Sequence, residues 1–181
     1  MSRRHVGRIF DQTGERGMKR TRLLVAAAVA ASFGTFGLTL ACDCLYRGPF
    51  LIAAYDAPVI VQGRVVAHFE HGLDLEIHDV YRGEESRSVV RIWGDNGRMC
   101  RMYASQFPDG SEWVVALHRT PEDERFRLAV ESTTDYQVSV CGEYAVQIVD
   151  GDAITFDELG RARQVELPEF EQRIRAWGNL P

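Results

Sequence analysis

Val59-Ile60-Val61-Gln62-Gly63-Arg64-Val65-Val66-Ala67-His68-Phe69, followed after Glu70-His71-Gly72 by Leu73-Asp74-Leu75-Glu76-Ile77-His78-Asp79-Val80-Tyr81, is the stretch on which the fold turns. The first run is rich in β-branched residues and alternates. The second alternates more cleanly, with Leu73, Leu75 and Ile77 on one face and Asp74, Glu76 and His78 on the other. A period of two marks a half-buried strand. The two runs therefore predict a hairpin about His71-Gly72, with Gly63 as a bulge or coil point inside its first strand.

The same reading extends outward. Ser88–Trp93, Trp113–His118 and Phe126–Glu131 read as third, fourth and fifth strands. Between them lie turns at Tyr81-Arg82-Gly83-Glu84 and Pro108-Asp109-Gly110, the loop Gly94-Asp95-Asn96-Gly97, and the charged loop Pro121–Glu124. Tyr136–Cys141 is a short apolar run. Tyr144–Val149 and Ala153–Phe156 form a second predicted hairpin about Asp150-Gly151. Pro49–Tyr55 reads as a short helix with Pro in its first turn. Pro168 opens a last helix with Phe170, Ile174 and Trp177 on one face. Short strands, close turns and few helices define an all-β class, a small barrel or sandwich. Trp93, Trp113 and Phe126 sit in strand runs and are expected in the core.

The chain is 181 residues long, about one domain. Its net charge of −5 hides an asymmetry: residues 1–41 sum to +5 and residues 42–181 to −10. The acidic body repels nucleic acid, heparin-like polymers and anionic membranes, so none of these is an expected partner. The basic leader has another meaning. From Met18 the chain reads Met-Lys-Arg-Thr-Arg, then runs uncharged from Leu23 to Ala41 and ends Thr39-Leu40-Ala41. That is the layout of a signal peptide over 18–41, cleaved after Ala41, with 1–17 an upstream extension of no structural purpose. Rival readings are a membrane anchor, a twin-arginine signal from Ser2-Arg3-Arg4, and a lipoprotein acylated at Cys42. The expected location is outside the cytoplasm, secreted or in the periplasm or cell envelope, with no membrane contact unless Cys42 is lipidated.

All four cysteines, Cys42, Cys44, Cys100 and Cys141, follow the proposed cut, and an even count in an exported chain reads as disulfides. A Cys42–Cys44 bridge is strained, because both side chains point the same way along an extended strand. Two pairings remain, and each staples the N-terminus to the middle and to the far end at about 4 kcal/mol per bridge. A redox pair at Cys-Asp-Cys, or soft copper held with Met99 and Met102, is the weaker alternative. His68, Glu70, His71 and His78 cluster in the first hairpin. His71 falls off the shared face, so a solvated edge is the reading preferred over a metal site. Ser88, Ser105 and Ser139 have no catalytic motif around them, and no phosphate loop, dinucleotide fingerprint or zinc-protease motif is present. The reading is a binding protein and not an enzyme.

Residues 42–141 resemble the tissue inhibitors of metalloproteinases and the wider netrin-like modules. The resemblance lies in Cys42-Asp43-Cys44 at the start of the processed chain and in Ala57-Pro58-Val59-Ile60-Val61-Gln62-Gly63-Arg64-Val65. It also takes in Val80-Tyr81-Arg82-Gly83, then Cys100, the Gly110–Leu117 strand and Cys141. It implies a five-stranded OB-fold-like barrel with short flanking helices, bridges Cys42–Cys100 and Cys44–Cys141, and neither catalysis nor a cofactor. In the inhibitors the N-terminal Cys chelates a protease's catalytic zinc through its α-amine and its carbonyl oxygen. By position Cys42 is that chelator here, bound to a partner's zinc only. Asp43 and Cys44 follow it, and Gly97-Arg98-Met99 lies beside it as the second contact segment. The implied partner is a zinc metalloprotease. The alternative is a non-catalytic envelope or extracellular interaction module on the same barrel. The chain departs from the family in placing Asp43 where a side chain enters the protease's specificity pocket, in its short first hairpin, and in having two bridges. Residues 142–181 have no counterpart in the family and are expected to pack on the domain as a hairpin plus amphipathic helix.

Overall fold

A computed structural model describes residues 44–177. The leader, its cleavage site, Cys42 and Asp43 lie outside the described residues. Among the described residues there are eight strands: β1 (Val59–Phe69), β2 (Gly72–Arg82), β3 (Val89–Trp93), β4 (Glu112–Arg119), β5 (Tyr136–Gln137), β6 (Ala145–Val149), β7 (Asp152–Phe156) and β8 (Ala162–Glu166). They are flanked by α1 (Phe50–Ala53), which runs on into a 3-10 turn at Ala54–Asp56, and by α2 (Leu167–Ala176).

β1 and β2 form the expected hairpin, turning at Glu70-His71, one residue earlier than the sequence suggests. β1 also pairs with β4, so the order β1-β2-β3-β5-β4 returns to β1 and closes a five-stranded barrel. Every pairing in the ring is antiparallel except β3 with β5, which is parallel. This is the OB-like all-β barrel. Closure needs strong coiling of β1, and the strand obtains it from register shifts, one of them at Gln62/Gly63. A Cβ on Gly63 would sit 2.4 Å from the Glu76 carbonyl oxygen, so only glycine lets β1 and β2 approach this closely.

One edge of β4 is divided between two neighbours. His118 and Arg119 pair with β5, while Glu112–Val115 pair with β6. The barrel and the β6-β7-β8 meander thus grow from one strand. α2 lies against this meander, with Phe170 and Ile174 buried and the Phe170 ring 5.3 Å from that of Phe50. Phe50, Ile60, Leu75, Leu117, Tyr136, Val146 and Phe170 belong to one continuous core.

Two expectations are corrected. Phe126–Glu131 is not a strand: Glu124–Phe126 is a 3-10 turn, and the strand that closes the barrel is Tyr136–Gln137. Phe126 is not in the core either, being 56% exposed, whereas Trp93 and Trp113 are buried. The cause is Arg101. Its buried guanidinium donates to the Phe126 carbonyl at 3.0 Å and to both oxygens of Glu131 at 2.7 and 3.0 Å. The segment wraps around a buried cation, which a ladder-bonded strand has no room for. Strand β8 was not expected. Its residues are mostly exposed, and it is held by the Asp157–Arg161 turn at its start and by its ladder with β7.

Candidate functional site

Cys44 and Cys141 form a disulfide with Cα atoms 5.7 Å apart. The chain after Cys44 is laced onto the chain around Cys141. Arg47 N–H donates to the Cys141 carbonyl at 2.8 Å, and Glu143 N–H donates to the Gly48 carbonyl at 3.0 Å. The Glu143 carboxylate accepts from Phe50 N–H and from the Thr155 hydroxyl. Residues 44–50 are therefore fixed at one end of the barrel. Of the expected pairings, Cys44–Cys141 is present. Cys100 is disulfide-bonded too, and the other member of the expected Cys42–Cys100 pair lies outside the described residues.

The segment carrying Arg98 and Met99 reaches the same end. Val140 N–H donates to the Cys100 carbonyl and Met102 N–H to that of Val138, so Cys100 and Cys141 sit on adjacent segments. Two side chains shape the loop: Asp95 Oδ1 accepts from the N–H groups of Gly97, Arg98 and Met99 at 2.8, 3.1 and 2.9 Å, and Asn96 Oδ1 also accepts from Arg98 N–H at 3.1 Å. Gly97 adopts φ +88°, which the turn requires and glycine supplies. Two candidate contact residues, Arg98 and Met99, are thereby presented by a preformed loop beside the bridged N-terminal segment. The sequence contained a signal for this in Asp95-Asn96-Gly97, an acidic residue able to bond its own backbone just before a glycine.

A cavity of about 480 Å³ opens between these segments, lined among others by Arg47, Arg98, Met99, His118, Phe126 and Tyr144. Arg47 donates to Asp56 at 2.6 Å and to the Tyr144 hydroxyl at 3.1 Å. The His118 ring meets the Tyr144 ring edge-on, 5.6 Å between centroids. Burial pushes the His118 imidazole below its usual range, and Arg47 pushes the same way against the opposing pull of Asp56. Sequence reading missed Arg47, His118 and Tyr144, which lie far apart in the chain.

The hairpin histidines do not converge. His68 lies 2.6 Å from Asp109 and 3.1 Å from the Ala104 carbonyl. His78 stands between Glu76 and Glu112, and His71 beside Glu70. Among the described residues no three His, Cys, Asp or Glu side chains group to hold a metal. Nor is any described helix long and apolar enough to cross a membrane. The arrangement sets a disulfide-bridged segment and an Asp95-bonded loop beside a pocket lined by Arg47, Arg98 and Arg101. No family model matches this chain, and no match was found among curated proteins or solved structures.

Proposed function

We propose that this chain is an exported, disulfide-locked barrel that inhibits a zinc metalloendopeptidase through the α-amine and carbonyl of Cys42, and that it is not itself an enzyme. The observation that carries the reading is the meeting of the Cys44–Cys141 bridge with the Arg98-Met99 loop at one end of the barrel. The Cys44–Cys141 bridge is one the resemblance implies and Cys100 is disulfide-bonded; in this reading Cys42 is the partner of Cys100, as the resemblance implies. A residue held that way presents its amine and carbonyl with little freedom to lose on binding. Zinc proteases keep an open coordination position, and an α-amine with a pKa near 8 gives up its proton to a metal readily. Disulfides form and persist outside the cytoplasm, which agrees with export.

Asp43 favours the second reading, an interaction module of the envelope or exterior. Placed in an apolar specificity pocket, an unpaired carboxylate opposes binding. The two readings separate on one experiment. The processed protein is assayed against a set of zinc metalloendopeptidases beside a variant carrying one alanine ahead of Cys42. Chelation predicts that inhibition disappears with the extension. Inhibition that survives it removes Cys42 from the mechanism.

A further inference from the structure

The pocket beside the Arg98 loop has a chemistry that zinc chelation does not use. Arg47, Arg98 and Arg101 line it. Arg101 is consumed by Glu131 and Arg47 is paired with Asp56. Arg98 has no ion-pair partner among the described residues, so the three guanidiniums and two carboxylates leave one positive charge, on Arg98. The His118 ring lines the same pocket and is given no hydrogen bond by any described residue. The same pocket is also lined by Met99, Pro121 and Phe126, whose side chain is exposed. That ring is not left outside by looseness, since the Phe126 carbonyl is held by the buried Arg101 guanidinium.

We propose that this pocket binds a small monocarboxylate with an apolar body, the carboxylate on Arg98 and the His118 ring, the body against Phe126, Met99 and Pro121. The volume of about 480 Å³ lies in the range of small-ligand sites. The charge balance selects the class. A polyanion meets the net field of residues 42–181, which is strongly negative, whereas a single carboxylate needs only the local charge on Arg98. The apolar wall supplies the remaining affinity by burial. The Asp95 bonds hold the Arg98 backbone in place before any ligand arrives, so little of the binding energy is spent on ordering the loop.

The test uses the processed protein, with 3-phenylpropionate as probe and its neutral amide as control, followed by the His118 ring protons in NMR. Saturable binding of the acid, with shifts at His118 and Met99, is the expected result. The Arg98→Gln variant, at a solvent-exposed position, should bind the acid about tenfold to a hundredfold more weakly, the usual loss for one hydrogen bond to a charged group. The amide should bind weakly to both proteins. Equal binding of acid and amide, unchanged affinity in Arg98→Gln, shifts confined to another part of the barrel, or no saturable binding overturns the proposal. The alanine extension ahead of Cys42 should leave acid binding unaltered, so this test and the inhibition assay fail independently.

Discussion

Removing one partner of the Arg101–Glu131 pair should be among the most damaging single changes in the barrel. Both side chains are almost entirely buried, and the pair is joined by two bonds of 2.7 and 3.0 Å, with a third from Arg101 to the Phe126 carbonyl. Glu131→Gln preserves shape and keeps one acceptor but leaves the guanidinium uncompensated. Arg101→Met leaves a buried carboxylate alone. Breaking such a pair from one side costs about 3–5 kcal/mol, with Glu131→Gln toward the low end because the amide oxygen still accepts. Against a domain stability of about 5–15 kcal/mol this is a large fraction. The double variant Arg101→Met/Glu131→Leu removes both charges. It sacrifices only the bond to Phe126, about 1 kcal/mol, and regains apolar packing. The double variant should therefore be more stable than either single one, and the two losses should be strongly non-additive. Urea unfolding, read as midpoints at constant slope, measures all four corners of the cycle. Single losses below about 1 kcal/mol, or losses that simply add, would show that the pair does not hold the 122–131 loop to the barrel.

Other perturbations follow from the same geometry. Cys44→Ser/Cys141→Ser opens a loop spanning 97 positions, and chain entropy puts the loss at about 4–5 kcal/mol, measurable by denaturant unfolding of the non-reduced protein. Gly63→Ala should cost about 3 kcal/mol or more, because its Cβ meets a backbone oxygen that cannot retreat without breaking the β1–β2 ladder. The control Gly110→Ala, at φ +72° with nothing within 4 Å, should cost about 1 kcal/mol, and thermal melts compare the two. The His118 imidazole is held below its usual value of 6.5 by burial, so the unfolded chain binds the proton more readily. That contribution to stability is present above about pH 6.5 and is lost as pH falls through the folded value, and His118→Gln should flatten the midpoint-versus-pH curve there.

The hairpin β1–β2 was legible because Leu73 and Leu75 alternate with charged residues and their face is buried. β4 and the β6–β7 turn were legible for similar reasons, the latter through Asp150-Gly151, both of which adopt positive φ. β5 was not, since two residues carry no period; Tyr136 and Gln137 become a strand because β3 and β4 hold them from both sides. Residues 126–131 read as the fifth strand, and the feature that prevents it, a buried arginine arriving from position 101, is non-local. The pocket was illegible for the same reason. Arg47, His118 and Tyr144 meet only once the barrel has closed, while Arg98 and Met99 enter the sequence reading only through the family resemblance, as a protease contact segment and not as lining of a pocket.

The most direct test of the whole account is the intact, non-reduced mass of the exported protein together with its N-terminal sequence. A free amine on Cys42, and a mass below the reduced value by the hydrogens of two disulfides, is the predicted result, since all four cysteines are then bonded and the chelating terminus is open. An acylated Cys42, a terminus other than Cys42, or a mass consistent with free thiols would contradict it.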